Sequence, residues 1–370
     1  MIIDSHAHIF QNWFGQCGMA DRQVHLRYIQ KNLTRPAARV YRTRDGALAS
    51  GQLLFREGDN TWAGLRDDVS FRVGLYGRLE FTVNGEDHYV QYMPVAMREI
   101  ESTPEFMTAQ MIAAGVDHCV LQAGFTYGYM NDYNALAQRA FPQRFTGLFH
   151  VDEPLADTPH WLGEAERALG PLGLRGLYYQ LDGYSRYGFP WWFDDARFDR
   201  FWALVEGAGV PVFFEAAAIP RYDRDSYLEV LRRLDGLQDR FPRIRWLIVL
   251  GPPAQYFAPD GRWEFPDVAA RVYGRDTVWL EVCYPISWGG VWEYPFPEAQ
   301  RLIESLRGRF GAEKLVWGSD MPNVERFATY RQTVDYVRRH CPGLSSRDKD
   351  RILGENVAEL LGLGARGAGA

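Results

Sequence analysis

The chain has 370 residues, 46% hydrophobic and 24% charged, enough for a large α/β core. Its net charge of −6, with scattered arginines and no basic stripe, excludes a nucleic-acid binder. No long apolar run and no secretory pattern occurs, so membrane insertion is not expected and a cytoplasmic location is, while Cys17, Cys119, Cys283 and Cys341 form no CxxC pair and argue against a disulfide framework or a cysteine zinc site.

The first predicted element is a short apolar strand that starts at Ile2. Side chains two apart on a strand share a face, so Asp4, His6 and His8 are expected to point together from its end. Two imidazoles on one rigid strand present neutral nitrogens with little rotamer freedom left to lose, which suits Zn, Mn, Fe or Ni. An isolated HxH is a weak motif, and incidental surface histidines are the plainer alternative.

Residues from about 10 to 98 read as an insertion, β-rich over 39–93. Within it, 71–79 and 79–92 alternate around Asn84-Gly85, a hairpin turn signal. A lid, a dimer surface or both would explain it, and a homodimer is the expected assembly.

From residue 106 a strand-then-helix rhythm sets in, with apolar runs at 117–122, 145–151, 173–180, 210–215, 245–250, 277–282 and 314–318. Amphipathic stretches such as 198–206, 223–241, 297–310 and 325–340 lie between most of them. With 2–5 these runs make eight strands and predict one α/β domain over 1–370, a closed parallel (β/α)8 barrel of the TIM type with its chemistry at the carboxyl ends of the strands. A doubly wound sheet is the rival, but the glycine-rich phosphate turn expected after its first strand is missing. The Gly/Ala/Arg tail after 363 is expected to be disordered.

Ligand-type residues stand at several strand ends: His150-Val-Asp152-Glu153 at the third, Glu215 at the fifth, Glu281 at the seventh and Asp320 at the eighth. Each carboxylate follows an apolar run, where an unpaired charge is costly. Bland roles exist for each: Glu215 could pair with Arg175, Glu281 could cap a loop, and Asp320 could cap a helix beginning near Val324. Their convergence on one barrel mouth favours a metal centre.

The opening Asp4-Ser-His-Ala-His, Gly115-Val-Asp, Arg144-Phe-Thr-Gly-Leu and Trp317-Gly-Ser-Asp320-Met-Pro resemble the amidohydrolase superfamily. The nearest branch contains aminocarboxymuconate-semialdehyde decarboxylase and resorcylate decarboxylases. The resemblance implies a metal-dependent (β/α)8 barrel with His6, His8 and Asp320 as ligands. The middle departs from the pattern: Glu215 stands where a ligand histidine is expected at the fifth strand, and Val249-Leu-Gly-Pro-Pro where another is expected at the sixth.

Anionic oxygen in place of imidazole makes a harder, more negative ligand field. His6 and His8 with Glu153, Glu215, Glu281 and Asp320 match the two-histidine, four-carboxylate set of non-haem di-iron proteins. The chain also resembles the non-haem di-iron hydroxylases of platensimycin and platencin biosynthesis. That resemblance implies a monooxygenase with two irons and dioxygen as co-substrate, hydroxylating an aliphatic carbon of a terpenoid acyl intermediate carried as a coenzyme A thioester. Nothing in the chain offers a flavin or nicotinamide site, so an external electron donor is implied. His6, His8, Glu215, Glu281 and Asp320 would be catalytic, and these with Glu153 the metal ligands. The alternative is a mononuclear Zn or Mn decarboxylase or hydrolase with His6, His8 and Asp320 as ligands.

Aromatic residues crowd the strand ends: Tyr127, Tyr129 and Tyr133 after the second, Tyr178, Tyr179, Tyr184, Tyr187, Phe189, Trp191 and Trp192 at the fourth, and Trp288 and Trp292 after the seventh. They could wall a pocket for a bulky apolar substrate, or form a dimer interface or extra core.

Overall fold

A computed structural model describes residues 1–34, 38–49, 53–56, 58–59, 61–216, 222–283 and 293–363. Its strands in chain order are β1 (Ile3–Ala7), β2 (Val40–Arg42), β3 (Arg72–Val73), β4 (Arg78–Val83), β5 (Glu86–Gln91), β6 (His118–Leu121), β7 (Phe145–Gly147), β8 (Leu177–Gln180), β9 (Val212–Glu215), β10 (Trp246–Ile248), β11 (Val278–Val282) and β12 (Leu315–Trp317). Parallel pairing runs β1-β6-β7 and β12-β11-β10-β9-β8. Parallel bridges Phe149↔Leu177 and Ala7↔Met321 join the two runs, and the (β/α)8 barrel closes.

These strands are buried on both faces, as parallel strands covered by helices must be. Ile3, Val120, Leu148, Tyr178, Phe213, Leu247 and Val316 point inward and form one cluster, closed from below by Val357, Leu360 and Leu361 of the helix Asn356–Leu361. The alternate residues, among them Tyr179, Phe214, Trp246 and Leu280, pack outward under the helices. Period-two alternation therefore carries Glu215, two past Phe213, onto the inward face.

The insertion forms an antiparallel sheet of order β2-β5-β4-β3. Its hairpin turns at Asn84-Gly85, both in the left-handed region with φ of 52° and 78°, the conformation that tight hairpins require. The helix Arg22–Asn32 packs with this sheet, and Leu26, Ile29, Leu79 and Phe81 share a cluster with Phe10, Trp13, Tyr127 and Met130. The insertion is thus seated on the loops that leave β1 and β6.

Helix bounds follow the apolar periodicity at Asp199–Ala208, Arg224–Arg240 and Pro297–Phe310. The stretch expected to be helical from 325 instead begins its α-helix at Tyr330, because Thr329 and Gln332 form a reciprocal capping box there. A 3-10 turn, Asn323–Arg326, fills the gap. Among the described residues no helix is long and apolar enough to cross a membrane. The tail after 363 and the residues Trp288 and Trp292 lie outside the described residues.

Candidate metal centre

His6 and His8 leave the end of β1 buried, with their rings edge to face and centroids 4.9 Å apart. His6 Nδ1 lies 2.9 Å from Glu281 Oε2, and His8 Nδ1 lies 3.0 Å from the carbonyl oxygen of Gln122. Both partners are acceptors, so each Nδ1 carries a proton and each Nε2 is the atom that would offer its lone pair to a cation. The two Nε2 atoms face each other at 3.1 Å. Asp320 Oδ1 completes the group, 3.0 Å from His8 Nε2 and 3.7 Å from His6 Nε2. Three lone-pair atoms that converge in a buried place call for a cation between them.

The electrostatics agree. Burial opposes charge on His6, but Glu281, Asp320 and Asp4 outweigh it and carry the imidazole up to about 9, so without a cation its Nε2 also holds a proton, which a bound ion would displace. Burial also opposes charge on Asp320, yet the hydrogen bond from His8 and the field of the two imidazoles hold its carboxyl below the usual range.

Asp320 reaches the group from a left-handed residue, φ 62°, pinned by its N–H to the His6 carbonyl at 2.8 Å. Asn323 Nδ2 donates to its second oxygen at 3.2 Å. It caps no α-helix; the helix expected near Val324 starts later.

Glu281 accepts from His6 Nδ1, from the Leu250 N–H at 2.7 Å and, on its other oxygen, from Ser5 Oγ at 2.8 Å. Leu250 and Gly251 both have positive φ, 61° and 63°, and a Cβ on Gly251 would fall 2.1 Å from the Glu281 carbonyl oxygen. The segment that stands in place of a sixth-strand histidine therefore serves the site through its backbone. Gly318 is needed for the same reason, since a Cβ there would come within 2.8 Å of Glu281 Oε1, His6 Cβ and Ser5 Oγ. A conformation of Leu250 that turns its N–H inward leaves no signal in the sequence.

Asp4 does not join its two histidines. It accepts from Ser319 N at 2.9 Å, Ser319 Oγ at 2.5 Å, Tyr330 Oη at 2.7 Å and His6 N at 3.0 Å, tying β1 to the segment that bears Asp320. Burial lifts its carboxyl to about 6 against the pull of those hydrogen bonds.

The remaining strand-end candidates stand elsewhere. Glu215 is buried and accepts from Tyr178 Oη at 2.5 Å, on strands that do not neighbour β1 in the barrel. Its expected partner Arg175 instead lines a cavity of about 330 Å³ at the opposite end of the barrel, with Arg245 and Leu361. Glu153 accepts from the Gln180 N–H at 3.3 Å, and burial pushes its carboxyl well above the ordinary range. Asp152 pairs with Arg186 at 3.3 Å, and His150 accepts from the Met130 N–H at 3.2 Å.

A second set of ligand-type atoms, His6, Glu281 and Cys283, shares His6 with the first. It would need a deprotonated Nδ1, which the hydrogen bond to Glu281 contradicts, and a thiol that burial pushes well above its usual range.

Of the aromatics, Tyr127 stacks on His8 at 4.1 Å and continues into Phe10, Trp13 and, from the insertion, Tyr92. Tyr179 and Tyr184 belong to the outer core, while Trp191 and Trp192 lie under the guanidinium groups of Arg197 and Arg233.

The family described as Amidohydrolase matches residues 3–363. A search of curated proteins finds no match. Among solved structures, the chain is similar to a probable 2-pyrone-4,6-dicarboxylic acid hydrolase of Acinetobacter baumannii with citric acid bound, at 17% identity over 98% of this chain and 99% of that one, TM-score 0.57. It is similar to an uncharacterised TIM-barrel protein of Bordetella bronchiseptica, at 18% identity over 70% and 82% of the two chains, TM-score 0.52. A 2,6-dihydroxybenzoate decarboxylase complexed with 2,6-dihydroxybenzoate matches at 15% identity over 74% and 90%, TM-score 0.52.

The family match corrects the expectation of a non-haem di-iron monooxygenase, and with it the oxidoreductase and hydroxylase assignments, the terpenoid acyl substrate, the two irons and the dioxygen. The neighbours of this fold that carry an activity are a hydrolase and a decarboxylase. The physical reason lies in the carboxylates. One group of three atoms converges on one point; Glu281 spends both oxygens on three donors, and Glu153 and Glu215 are in neither ligand group among the described residues.

Proposed function

Because the chain belongs to the amidohydrolase family, we propose that it is a mononuclear metal-dependent decarboxylase or hydrolase of small cyclic carboxylates, with one zinc or manganese ion held by His6, His8 and Asp320. The observation that carries this reading is the meeting of two imidazole Nε2 atoms and a carboxylate oxygen, each ring locked from behind by an acceptor on its Nδ1. A divalent ion bound there supplies Lewis-acid polarisation of a substrate oxygen.

The rest of the chemistry belongs to the chain. Glu281 fixes the tautomer and orientation of His6, and the Gln122 carbonyl does the same for His8. Tyr127 lies flat on His8 and shields it from solvent, with its own hydroxyl held protonated by burial first and then by the fields of Asp320, Tyr92 and Glu215. Glu215 and Tyr178 form an inward-facing pair in which Tyr178 Oη donates to Glu215 Oε2 and orients the carboxylate to take a proton from a substrate hydroxyl or a water.

Metal analysis of chain purified without chelator tests the reading, together with turnover of 2,6-dihydroxybenzoate and 2-pyrone-4,6-dicarboxylate. About one zinc or manganese per chain, lost in His8→Ala along with turnover, is the expected result. Two irons per chain with oxygen-dependent turnover would overturn it.

A further inference from the structure

Arg326 is half-buried in the 3-10 turn between Asp320 and the last long helix. Its Nε donates to the Asn323 carbonyl at 3.1 Å and its Nη1 reaches the Gln91 carbonyl, at the end of β5 in the insertion, at 3.5 Å. Its guanidinium lies 4.8 Å from the Phe327 ring centroid and 5.7 Å from that of Tyr92. Among the described residues its direct partners are neutral carbonyls and ring faces. Several other half-buried arginines have carboxylates: Arg186 has Asp152, Arg275 has Asp235 and Asp239, and Arg338 has Asp335. Arg245 also has only backbone carbonyls, those of Gly209 and Leu360, but it stands at the opposite end of the barrel. Among the described residues no carboxylate comes within ion-pair distance of Arg326. The carboxylate whose field acts on it is Asp320, already engaged by His8 and Asn323.

A guanidinium taken from water without a counter-charge is costly, and a fork of planar donors is matched by a planar oxyanion. Burial pulls this arginine below its ordinary range while Tyr92, Asp320 and Tyr127 push the other way, which places the charge beside the metal group's aromatic wall. Tyr127 lies stacked on His8 and Tyr92 continues that wall through Trp13. Asn323 links the two functions physically, since its side chain holds Asp320 and its carbonyl holds Arg326.

We propose that Arg326 is the anion anchor of the substrate site: it binds a carboxylate on a planar, ring-bearing substrate, with Tyr92 and Tyr127 along the ring. A carboxylate fits better than a phosphate, because a single guanidinium set among neutral carbonyls balances one negative charge and not two. The insertion takes part in specificity, because Gln91 and Tyr92 set where the guanidinium sits. The inference deepens the proposed reading by naming the substrate's charged handle, and it rests on that reading for the position of the reacting end.

The experiment is calorimetric titration of benzoate and of its neutral analogue benzamide into the full metal-treated chain, its Arg326→Gln variant and its Arg326→Lys variant, with metal content measured on each sample. Benzoate should bind the unmodified chain at least ten times more tightly than benzamide, and Arg326→Gln should weaken benzoate by roughly 30-fold while leaving benzamide within about twofold. Arg326→Lys, which keeps the charge and loses the fork, should fall between them. Benzoate binding no tighter than benzamide in the unmodified chain, or unchanged in a folded Arg326→Gln variant, overturns the proposal. Should Arg326→Gln fail to fold by circular dichroism, the Lys variant decides: benzoate affinity equal to that of the unmodified chain overturns the fork geometry. A chain that takes up no metal but still prefers benzoate through Arg326 would sink the metal-dependent reading and leave this one standing.

Discussion

Glu281 sits behind His6, and its two oxygens accept hydrogen bonds from Ser5 and His6 of β1 and from the Leu250 N–H after β10. Its influence on a metal runs through the imidazole, so Glu281→Gln should keep the fold and lower metal affinity by about 10- to 100-fold. Competition against a chelator of known affinity measures this, and unchanged retention would show that His6 is oriented by something else. Glu215 should behave in the opposite way. Glu215→Gln leaves the three ligand atoms untouched, so metal content should stay constant while turnover falls by about 100-fold or more. Parallel metal analysis and rate measurement separate the two carboxylates, and a loss of metal in Glu215→Gln would return it to the ligand set. At this scale the sequence shows the ligand-type residues His6, His8 and Asp320 through their spacing and strand-end positions. It does not show which carboxylates are ligands and which are supports, because that depends on hydrogen bonds from Leu250 and Ser5 that composition and period do not encode.

The strands of the barrel are legible because each is a short apolar run, and parallel strands buried on both faces have no polar alternation to hide them. The hairpin at Asn84-Gly85 is legible because its turn demands positive φ at both residues. Two elements are not. The helix start at Tyr330 is set by a capping box that outweighs the apolar periodicity reaching back to 325. The register of β1 shifts between Asp4 and Ala7, so Asp4, next to inward-pointing Ile3, does not share the face of its histidines and meets the hydroxyls of Ser319 and Tyr330 instead. The turn after β10 is the element most sensitive to a single methyl group. Gly251→Ala adds a Cβ at positive φ against the Glu281 carbonyl, so it should destabilise the fold by about 2 kcal/mol and loosen the Leu250 N–H from Glu281. Urea unfolding and metal retention on the same variant check both halves.

Across the whole molecule, buried imidazoles make stability depend on pH. Burial holds His150 near 3 and His25 near 4, whereas in the unfolded chain each titrates near 6.5. Between those values the unfolded chain carries the extra proton, so stability falls as pH falls through 6.5 toward the folded values. Asp4 and Asp152, raised to about 6 by burial, act in the opposite sense between their unfolded values and 6, so the two kinds of group partly cancel. Single variants expose the separate slopes: His150→Asn should lose less stability on acidification from pH 6.5 to 5, by up to about 1.4 kcal/mol per pH unit. Urea unfolding at a series of pH values reads this, and an unchanged slope would mean that His150 is protonated in the fold. The closure of the barrel has one more consequence, in time rather than in space. His8 and Asp320 are separated by 312 positions and meet only when β1 is bridged through Ala7 to Met321. On the ribosome the two proposed histidine ligands emerge together and wait for the proposed third until 312 further positions have been added. A nascent chain therefore offers a passing metal ion only a loose pair of imidazoles, and the choice of ion is deferred to the finished fold.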